Sequence, residues 1–320
     1  MKIPPLLKIT PKILNYISQI DALKIYFSSL NIPASTKNEI QRISYLKSSL
    51  YSARIEGNQI KFDEYESANK QKKTEIYNIL SAIKYLENLS TVNLITSQII
   101  LKLHEKILNN KTNFRREMSA IYNQVGAVVY LPPPPTQIST LINQLIEYIN
   151  TQTNFPLITA LITHLIFEKI HPFLDGNGRT GRLLINAVLK CKSYNFGFII
   201  PFEEYLDEHK NEYYYYPDIG LKQTEDYLIF MLNAILEQTK KIKEQIENEQ
   251  NKNSQIHLPP RQQEMLQIIK DHNIVSFNFI KRRFLKIPER TLHYDLQKLI
   301  KNKQIIKIGK TKGVYYQIKI

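Results

Sequence analysis

One twelve-residue segment carries several groups that can do chemistry together. It reads His-Pro-Phe-Leu-Asp-Gly-Asn-Gly-Arg-Thr-Gly-Arg and runs from residue 171 to residue 182. It combines a histidine that can act as a general base with a carboxylate, a glycine-rich loop and two arginines. Gly176 and Gly178 permit backbone torsions that point successive N–H groups at one anion. The segment therefore predicts a site that handles phosphate groups.

A largely apolar run, 183–189, follows the segment, so we expect a helix to begin within it. The positive end of that helix would add to anion binding. Arg179 and Arg182 are three residues apart on the first turn, where both guanidinium groups can reach an extended polyphosphate. Asp175 offers hard oxygen ligands suited to Mg²⁺ on two phosphates, and His171 can take a proton from a hydroxyl.

All nine specified positions of the segment match the Fic (filamentation induced by cAMP) family motif, HPFx(D/E)GNGRxxR, so the chain resembles that family. The resemblance implies transfer of AMP from ATP to a Ser, Thr or Tyr hydroxyl of a target protein, with release of pyrophosphate. It gives His171 the role of catalytic base and Asp175 the Mg²⁺ ion. The residues it places at the nucleotide are Gly176, Asn177, Gly178, Arg179, Thr180, Gly181 and Arg182.

Two further segments resemble parts of the same family. Residues 127–135 are similar to the flap that docks the target by main-chain pairing, a β-augmentation, with Ala127, Val128, Val129 and Tyr130 as the docking residues. Tyr213 and Tyr214 are similar to the tyrosines that flank the adenine pocket in relatives, and core packing is the alternative role for them. Gly178 keeps the AMP-transfer pattern, while phosphocholine transfer and removal of AMP remain open.

An upstream segment resembles the family's inhibitory motif, (S/T)xxxE(G/N)N. It comprises Ser52, Glu56 and Asn58 in the stretch 52–58, and the first two lie one turn apart on a helix face. By the resemblance, Glu56 pairs with Arg182 and occupies the group that would hold the γ-phosphate. The same carboxylate can instead position a water molecule for removal of AMP.

The elements that must position these groups are mostly helices. Apolar spacing and capping residues predict helices over 37–59, 72–88, 97–109, 137–150, 156–169, 178–191 and 225–249. Gly126 to Tyr130 is a short β-like run closed by four prolines, so it predicts a small hairpin. We expect a mainly α fold: a Fic-type helical bundle with a β-hairpin flap.

The C-terminal region predicts a separate winged helix-turn-helix domain. Helices are expected over 260–271, 276–284 and 288–301, followed by strands over 304–308 and 314–318. Residues 255–320 contain 14 Lys and Arg against 4 Asp and Glu, whereas the other 254 residues carry a net charge of only +4. This balance suggests a basic module for nucleic acid, such as DNA, or another polyanion, and a solvated lysine-rich surface is the alternative. The groups offered to it are Arg290, Thr291, His293, Tyr294, Lys298, Lys310 and Lys312.

Three domains are therefore expected: a helical region with the inhibitory helix (1–95), the Fic catalytic core (96–250) and the winged helix (255–320). The leading functional prediction is an autoinhibited protein adenylyltransferase that uses ATP and Mg²⁺. The rival is a DNA-binding transcriptional regulator that uses the Fic core as a nucleotide sensor. A third interpretation is a protein–protein module, because 287–299 has apolar spacing suited to a homodimer.

Composition excludes several other classes. Hydrophobic residues make up 43% and charged residues 22% of the 320 residues, which is typical of a globular protein rather than a disordered one. A single cysteine, Cys191, rules out a disulfide scaffold within one chain. The most apolar stretch, 157–167, is interrupted by polar residues, and Pro4 and Pro5 interrupt any leader. We therefore expect a cytoplasmic protein with no membrane partner.

Overall fold

The computed structural model describes residues 1–30, 32–89, 94–122, 128–151, 155–219, 221–254, 258–309 and 313–319. The chain divides into two compact units, Met1–Lys243 and Glu244–Ile320. Its described residues are mainly helical, as expected. The helices of the longer unit are α1 (Pro11–Ser29), α2 (Ala34–Ile55), α3 (Lys70–Asn88), α4 (Ser97–Leu108), α5 (Pro135–Thr151), α6 (Pro156–Ile170), α7 (Asn177–Cys191), α8 (Glu203–Glu208), α9 (Lys210–Ile219) and α10 (Thr224–Ser254), and the last of them contains the boundary.

Helices α6 and α7 pack against each other and carry the motif between them. Helix α6 is apolar around most of its circumference, so nearly all of it is buried. It ends at His171, which adopts a left-handed conformation (φ 49°) and donates its N–H to the carbonyl of Phe167 at 2.9 Å. Helix α7 begins after Gly176, whose φ of 75° is one that glycine adopts without strain. The motif is therefore a tight loop between two buried helices.

The predicted helix over 37–59 corresponds to α2, which ends four residues earlier, at Ile55. Gly57 takes a φ of 108°, which a helix cannot accommodate, and the N–H of Asn58 donates back to the carbonyl of Ala53 at 3.1 Å. Glu56 is thus the cap of the helix. Helices α8 and α9 were not predicted, because the run 203–219 is short, charged and rich in tyrosine, without clear apolar spacing.

The predicted hairpin is present. Strand β1 (Ile121–Tyr122) pairs antiparallel with β2 (Val128–Tyr130), with Ile121 opposite Tyr130. Ala127 lies outside the described residues. Pro135 is already part of α5, since proline is tolerated in the first helical turn, where its missing N–H has no helical partner.

The shorter unit contains the predicted helices and strands, with one addition. Its elements are α11 (Pro260–His272), β3 (Ile274–Ser276), α12 (Phe277–Arg283), α13 (Glu289–Lys301), β4 (Ile305–Ile308) and β5 (Tyr315–Ile318). The strands form an antiparallel sheet in the order β3–β5–β4. Strand β3 was missed because three residues are too few to show alternation. Lys310 and Lys312 lie outside the described residues.

The apolar spacing of 287–299 serves the core of this unit. Leu292, Leu296 and Leu299 are almost completely buried there, together with Met265 and Ile280. The sequence-based interpretation of this spacing as a dimer surface is therefore wrong for these leucines. Among the described residues, the structure contains no helix with the length and apolar character needed to cross a membrane.

Candidate active site

His171 lines a cavity of about 220 Å³. Its position at the end of α6 buries most of the ring, and Nδ1 has no hydrogen-bond partner among the described residues. The pKa of His171 is lowered to about 4, mainly by burial; the charge of Arg115 acts in the same direction, whereas the backbone of Glu168 and the charge of Glu56 oppose the shift. The imidazole is therefore neutral at pH 7 and can accept a proton. The cavity is lined by Glu56, Ile121, Glu168, Lys169, His171, Gly178, Arg182, Tyr213 and Tyr214.

Asn177 shapes the loop through its side chain. Its Oδ1 accepts a hydrogen bond from the N–H of Phe173 at 2.9 Å, and its Nδ2 donates to the carbonyl of the same residue at 2.8 Å. The family resemblance places Asn177 at the nucleotide. In the structure its amide bonds to the loop backbone, and Asn177 is not among the residues that line the cavity.

His104 lies on α4 and belongs to none of the sequence motifs. Its ring is buried and stacks on Phe173 with centroids 3.6 Å apart, and its Nε2 lies 2.7 Å from the carbonyl oxygen of Asp175. Burial lowers the pKa of His104, so the neutral ring donates from Nε2 to that carbonyl. His104 thus holds the middle of the motif loop. The signal that could have found it is its buried position on an amphipathic helix.

Arg182 is 1% exposed and is the most heavily bonded residue of the cavity. Its Nε donates to Ser52 Oγ at 3.0 Å, and its Nη2 donates to the Ser52 carbonyl at 2.9 Å and to Glu56 Oε1 at 2.8 Å. Nη1 reaches the hydroxyl of Tyr213 at 3.3 Å. The structure therefore brings Ser52 and Glu56 of the upstream motif into contact with Arg182. The contact between Glu56 and Arg182 is the one that the family resemblance implies.

Glu56 lies against the first turn of α7. A methyl group added at Gly178 would overlap the Glu56 carboxylate, so the absence of a side chain at Gly178 makes room for it. The carboxylate therefore occupies the end of α7 that favours anions.

Arg179 points to a different environment from Arg182 and is absent from the cavity lining. Its Nη1 donates to Glu75 Oε1 at 2.6 Å and its Nη2 to Asp175 Oδ1 at 2.9 Å. Oδ1 of Asp175 also accepts the N–H of Gly176 at 2.6 Å, while the Asp175 side chain is 72% exposed. The two arginines that the sequence aimed at one polyphosphate are thus held apart.

Thr180 and Gly181 serve packing in this structure. The hydroxyl of Thr180 donates to the carbonyl of Gly176 at 2.8 Å, within the helix. Gly181 contacts Glu168 so closely that a side chain there would overlap the Glu168 carboxylate. Neither residue lines the cavity.

Tyr213 and Tyr214 both line the cavity but with different contacts. Tyr213 is buried, and its hydroxyl lies 3.1 Å from Nε2 of His164, whose Nδ1 is 2.7 Å from the hydroxyl of Tyr227. Tyr214 is half exposed and donates to the carbonyl of Ile55 at 2.7 Å. The hydroxyl of Tyr213 thus links Arg182 to His164. The hydroxyl of Tyr214 anchors the C-terminal end of α2, next to Glu56.

The flap touches the site through Tyr130. Its hydroxyl donates to the carbonyl of Lys169 at 3.0 Å, and Nζ of Lys169 lies 4.2 Å from the centre of its ring. Val128 is half exposed, whereas the side chain of Val129 is outside what the structure describes.

Glu168 was not singled out from the sequence. Burial raises its pKa to about 7, although the charge of Arg182 opposes the shift. Its Oε1 has no hydrogen-bond partner among the described residues. A carboxyl group therefore titrates near neutral pH three residues before His171.

The described residues contain no cluster of three or more His, Cys, Asp or Glu side chains that could hold a metal ion. Mg²⁺ does not require such a cluster, because it is commonly held by one or two carboxylates together with substrate phosphates. Both hydrogen bonds that described residues make to the Asp175 side chain fall on Oδ1. An exposed carboxylate of this kind fits a nucleotide-bound Mg²⁺.

The chain matches the sequence model of the Fic/DOC family over residues 94–189. It is 28% identical over 223 residues to protein adenylyltransferase Fic of Aedes aegypti, an alignment that covers 63% of this chain and 42% of that protein. It is 29% identical over 154 residues to a probable protein adenylyltransferase of Aquifex aeolicus, covering 43% of this chain and 45% of that protein. The chain thus matches less than half the length of these relatives.

The fold is shared with solved structures. A Fic family protein from Desulfovibrio desulfuricans superposes with a TM-score of 0.67 at 18% identity and covers 98% of both chains. Fic-1 from C. elegans superposes with a TM-score of 0.58 at 20% identity, covering 75% of this chain and 73% of that one. Identities of this size show the fold alone.

Proposed function

We propose that this protein transfers AMP from ATP to a Ser, Thr or Tyr hydroxyl of a target protein and that Glu56 inhibits it at rest. The observation that carries the proposal is one cavity that contains a neutral His171, the first turn of α7 and the guanidinium of Arg182. The names of the sequence relatives support it, and those relatives are more than twice as long as the part that aligns.

In the proposed reaction the target hydroxyl oxygen attacks the α-phosphorus of ATP. The bond between the α-phosphorus and the oxygen that bridges to the β-phosphate breaks, and pyrophosphate leaves. His171 accepts the hydroxyl proton, for which its lowered pKa keeps it unprotonated. The positive end of α7 and Arg182 stabilise the charge on the phosphates.

Asp175 is the residue that would hold Mg²⁺, and a bound Mg²⁺ ion supplies positive charge to the departing pyrophosphate. Arg179 is beside it and serves the same end of the nucleotide in this proposal. Asn177 and His104 act through the backbone, because their hydrogen bonds fix the loop between His171 and α7. For the target, we propose strand addition to the flap at residues 127–130.

The inhibition follows from the bonds of Arg182. Its Nη2 is shared between Glu56 and the carbonyl of Ser52, so it is already satisfied before any phosphate arrives. The γ-phosphate of an entering ATP molecule would therefore find Arg182 already occupied. The ATP would bind in a displaced position. A displacement of about 1 Å can lower a rate roughly 100-fold.

The test is transfer of label from α-labelled ATP to protein. Glu56→Gly should raise the labelling of lysate proteins, or of the protein itself, by roughly 100-fold over the parent chain. Glu64→Gln is the matched control, because the ion pair that Glu64 forms among the described residues is an exposed one, with Lys61. Adding His171→Ala to Glu56→Gly should remove the labelling while ATP affinity stays nearly unchanged.

The proposal fails if Glu56→Gly labels no protein under conditions in which it binds ATP. Phosphocholine transfer is tested in the same lysate with labelled CDP-choline. Removal of AMP is tested with a pre-labelled target, and Glu56→Gly should abolish it if Glu56 positions the water.

A second function has its own supporting observation in the shorter unit, and we propose that this unit is a winged helix that binds DNA. Arg290, Tyr294 and Lys298 are exposed and fall at i, i+4 and i+8 on one face of α13. The full chain should shift a DNA duplex at low salt, with affinity falling steeply as salt rises. Loss of the shift in an Arg290→Gln/Lys298→Gln double variant supports the assignment, and no shift at low salt overturns it.

A further inference from the structure

Both motif arginines are held by carboxylates from the N-terminal helices. Glu56, at the end of α2, binds Arg182, and Glu75, on α3, binds Arg179 with Nη1 and Oε1 only 2.6 Å apart. Arg179 is 8% exposed, so this second ion pair is largely withdrawn from water. Glu75 belongs to neither sequence motif.

Asn58 connects the two pairs. It lies two residues after Glu56, and its Nδ2 donates to Glu75 Oε2 at 3.3 Å and to the carbonyl of Lys72 at 3.2 Å. Its Oδ1 accepts the N–H of Ile60 at 3.1 Å, which fixes the amide in place. The last residue of the inhibitory motif is therefore bonded to the carboxylate that holds Arg179.

The charges around Arg179 oppose a polyphosphate. One guanidinium faces two carboxylates, those of Glu75 and Asp175, so the group carries a net charge of −1. An incoming phosphate would have to displace one carboxylate from the guanidinium or approach against that charge. Asp175 lies within the motif itself, whereas Glu75 comes from the N-terminal helices.

We propose that Glu75 is a second inhibitory residue that occupies Arg179 as Glu56 occupies Arg182. The N-terminal helices then supply two carboxylates at the guanidiniums that would otherwise bind two phosphates of ATP, and Asn58 keeps the two contacts together. This inference rests on the proposed function, since it presumes that the motif binds ATP.

The test measures ATP binding by calorimetry in the presence of Mg²⁺, with the full chain. The variants are the parent, Glu75→Gln, Glu56→Gly and the double variant. Glu75→Gln should tighten ATP binding about 3- to 10-fold in both the parent and the Glu56→Gly background, because it removes a charge that competes for Arg179. AMP transfer should rise further in the double variant than in Glu56→Gly.

Two companion variants sharpen the result. Asn58→Ala frees Glu75 without changing any charge and should tighten ATP binding in the same direction by a smaller factor. Glu64→Gln removes an exposed acid whose partner in the described part of the chain is Lys61, and it should not change ATP binding. Thermal unfolding of each variant establishes whether it is folded. If Glu75→Gln is not folded, the ATP affinity of Asn58→Ala tests the proposal instead.

Unchanged or weaker ATP binding in Glu75→Gln and Asn58→Ala overturns the proposal and makes Glu75 a support for Arg179. Absence of ATP binding in Glu56→Gly itself overturns the proposed function instead. The two failures are therefore distinguishable.

Discussion

Nε of Arg115 donates a hydrogen bond to the backbone carbonyl of His171 at 2.8 Å. Nη2 of the same guanidinium donates to the carbonyl of Pro133 at 2.6 Å, and the N–H of Arg115 donates to the carbonyl of Pro172 at 2.8 Å. The side chain is 4% exposed. The buried side chain of Arg115 therefore links the backbone of His171, the candidate catalytic base, to the backbone of the flap at Pro133.

Arg115→Met should lower AMP transfer by about 10- to 100-fold in a Glu56→Gly background, because it releases the backbone that orients His171. It should leave ATP affinity within about threefold, since Arg115 does not line the cavity. Loss of the nearby positive charge should also raise the pKa of His171. Transfer kinetics and a histidine NMR titration measure the two effects, and an unchanged rate would remove the positioning role.

The pH dependence of transfer follows from the environment of His171. Its ordinary pKa is near 6.5 and burial lowers it to about 4, so the fraction in the neutral, proton-accepting form stays high down to about pH 5. The rate of Glu56→Gly should therefore show no acid limb near pH 6.5. Single-turnover transfer between pH 5 and pH 8 measures this, and a tenfold fall between pH 7 and pH 5.5 would contradict it.

The sequence was sufficient to locate the motif, because glycine, asparagine and arginine at fixed spacing form a local pattern within twelve residues. It also paired Glu56 with Arg182 through the family resemblance. It assigned no role at this loop to Glu75, His104 or Arg115, which reach the loop from distant parts of the chain. Such contacts depend on how helices pack, and a lone buried polar residue on a helix has no spacing that marks its partner.

The same limit explains why the sequence did not predict separate environments for Arg179 and Arg182. Their spacing places Arg179 and Arg182 on one face of a helical turn. An arginine side chain is long enough, however, to reach acceptors in different directions from that face. Glu75 draws Arg179 away from the cavity, while Ser52 and Glu56 keep Arg182 in it. Partner choice of this kind is a tertiary property.

Glu168 should make stability depend on pH. Its pKa rises from about 4.5 to about 7 on folding, so its protonated form favours the folded state below pH 4.5 and that contribution is lost as pH rises through 7. Glu168→Gln should therefore raise the free energy of unfolding, relative to the parent, by about 2 kcal/mol more at pH 8 than at pH 5. Urea denaturation at both pH values measures this difference.

A matched control is Glu237→Gln, because the Glu237 side chain is 41% exposed and forms a surface ion pair with Lys240. It should shift stability by less than about 0.5 kcal/mol at either pH. An equal effect of Glu168→Gln at pH 5 and pH 8 would show that the carboxyl group is already ionised in the folded state across this range.

Tyr213→Phe separates two roles for that residue. If Tyr213 acts only as a ring beside the adenine, phenylalanine keeps the ring and changes little. In the structure, however, the hydroxyl of Tyr227 donates to the carbonyl of Leu161, so Nδ1 of His164 donates to Tyr227 and Nε2 accepts from Tyr213.

Burial lowers the pKa of His164 to about 3, so the ring is neutral and has only one N–H to donate. The hydroxyl of Tyr213 must therefore donate to His164 and accept from Arg182. Removing it leaves a buried ring nitrogen and one guanidinium N–H without their partners. We expect Tyr213→Phe to lower the free energy of unfolding by about 1–3 kcal/mol.

The nearby Tyr214→Phe is the control, because it loses only a half-exposed hydrogen bond to the carbonyl of Ile55. Its cost should be below about 1 kcal/mol, and by loosening the end of α2 it should weaken inhibition by Glu56. Equilibrium denaturation ranks the two variants, and basal AMP transfer reports the inhibition. A Tyr213→Phe variant as stable as the parent would show that Arg182 is held without the buried hydroxyl.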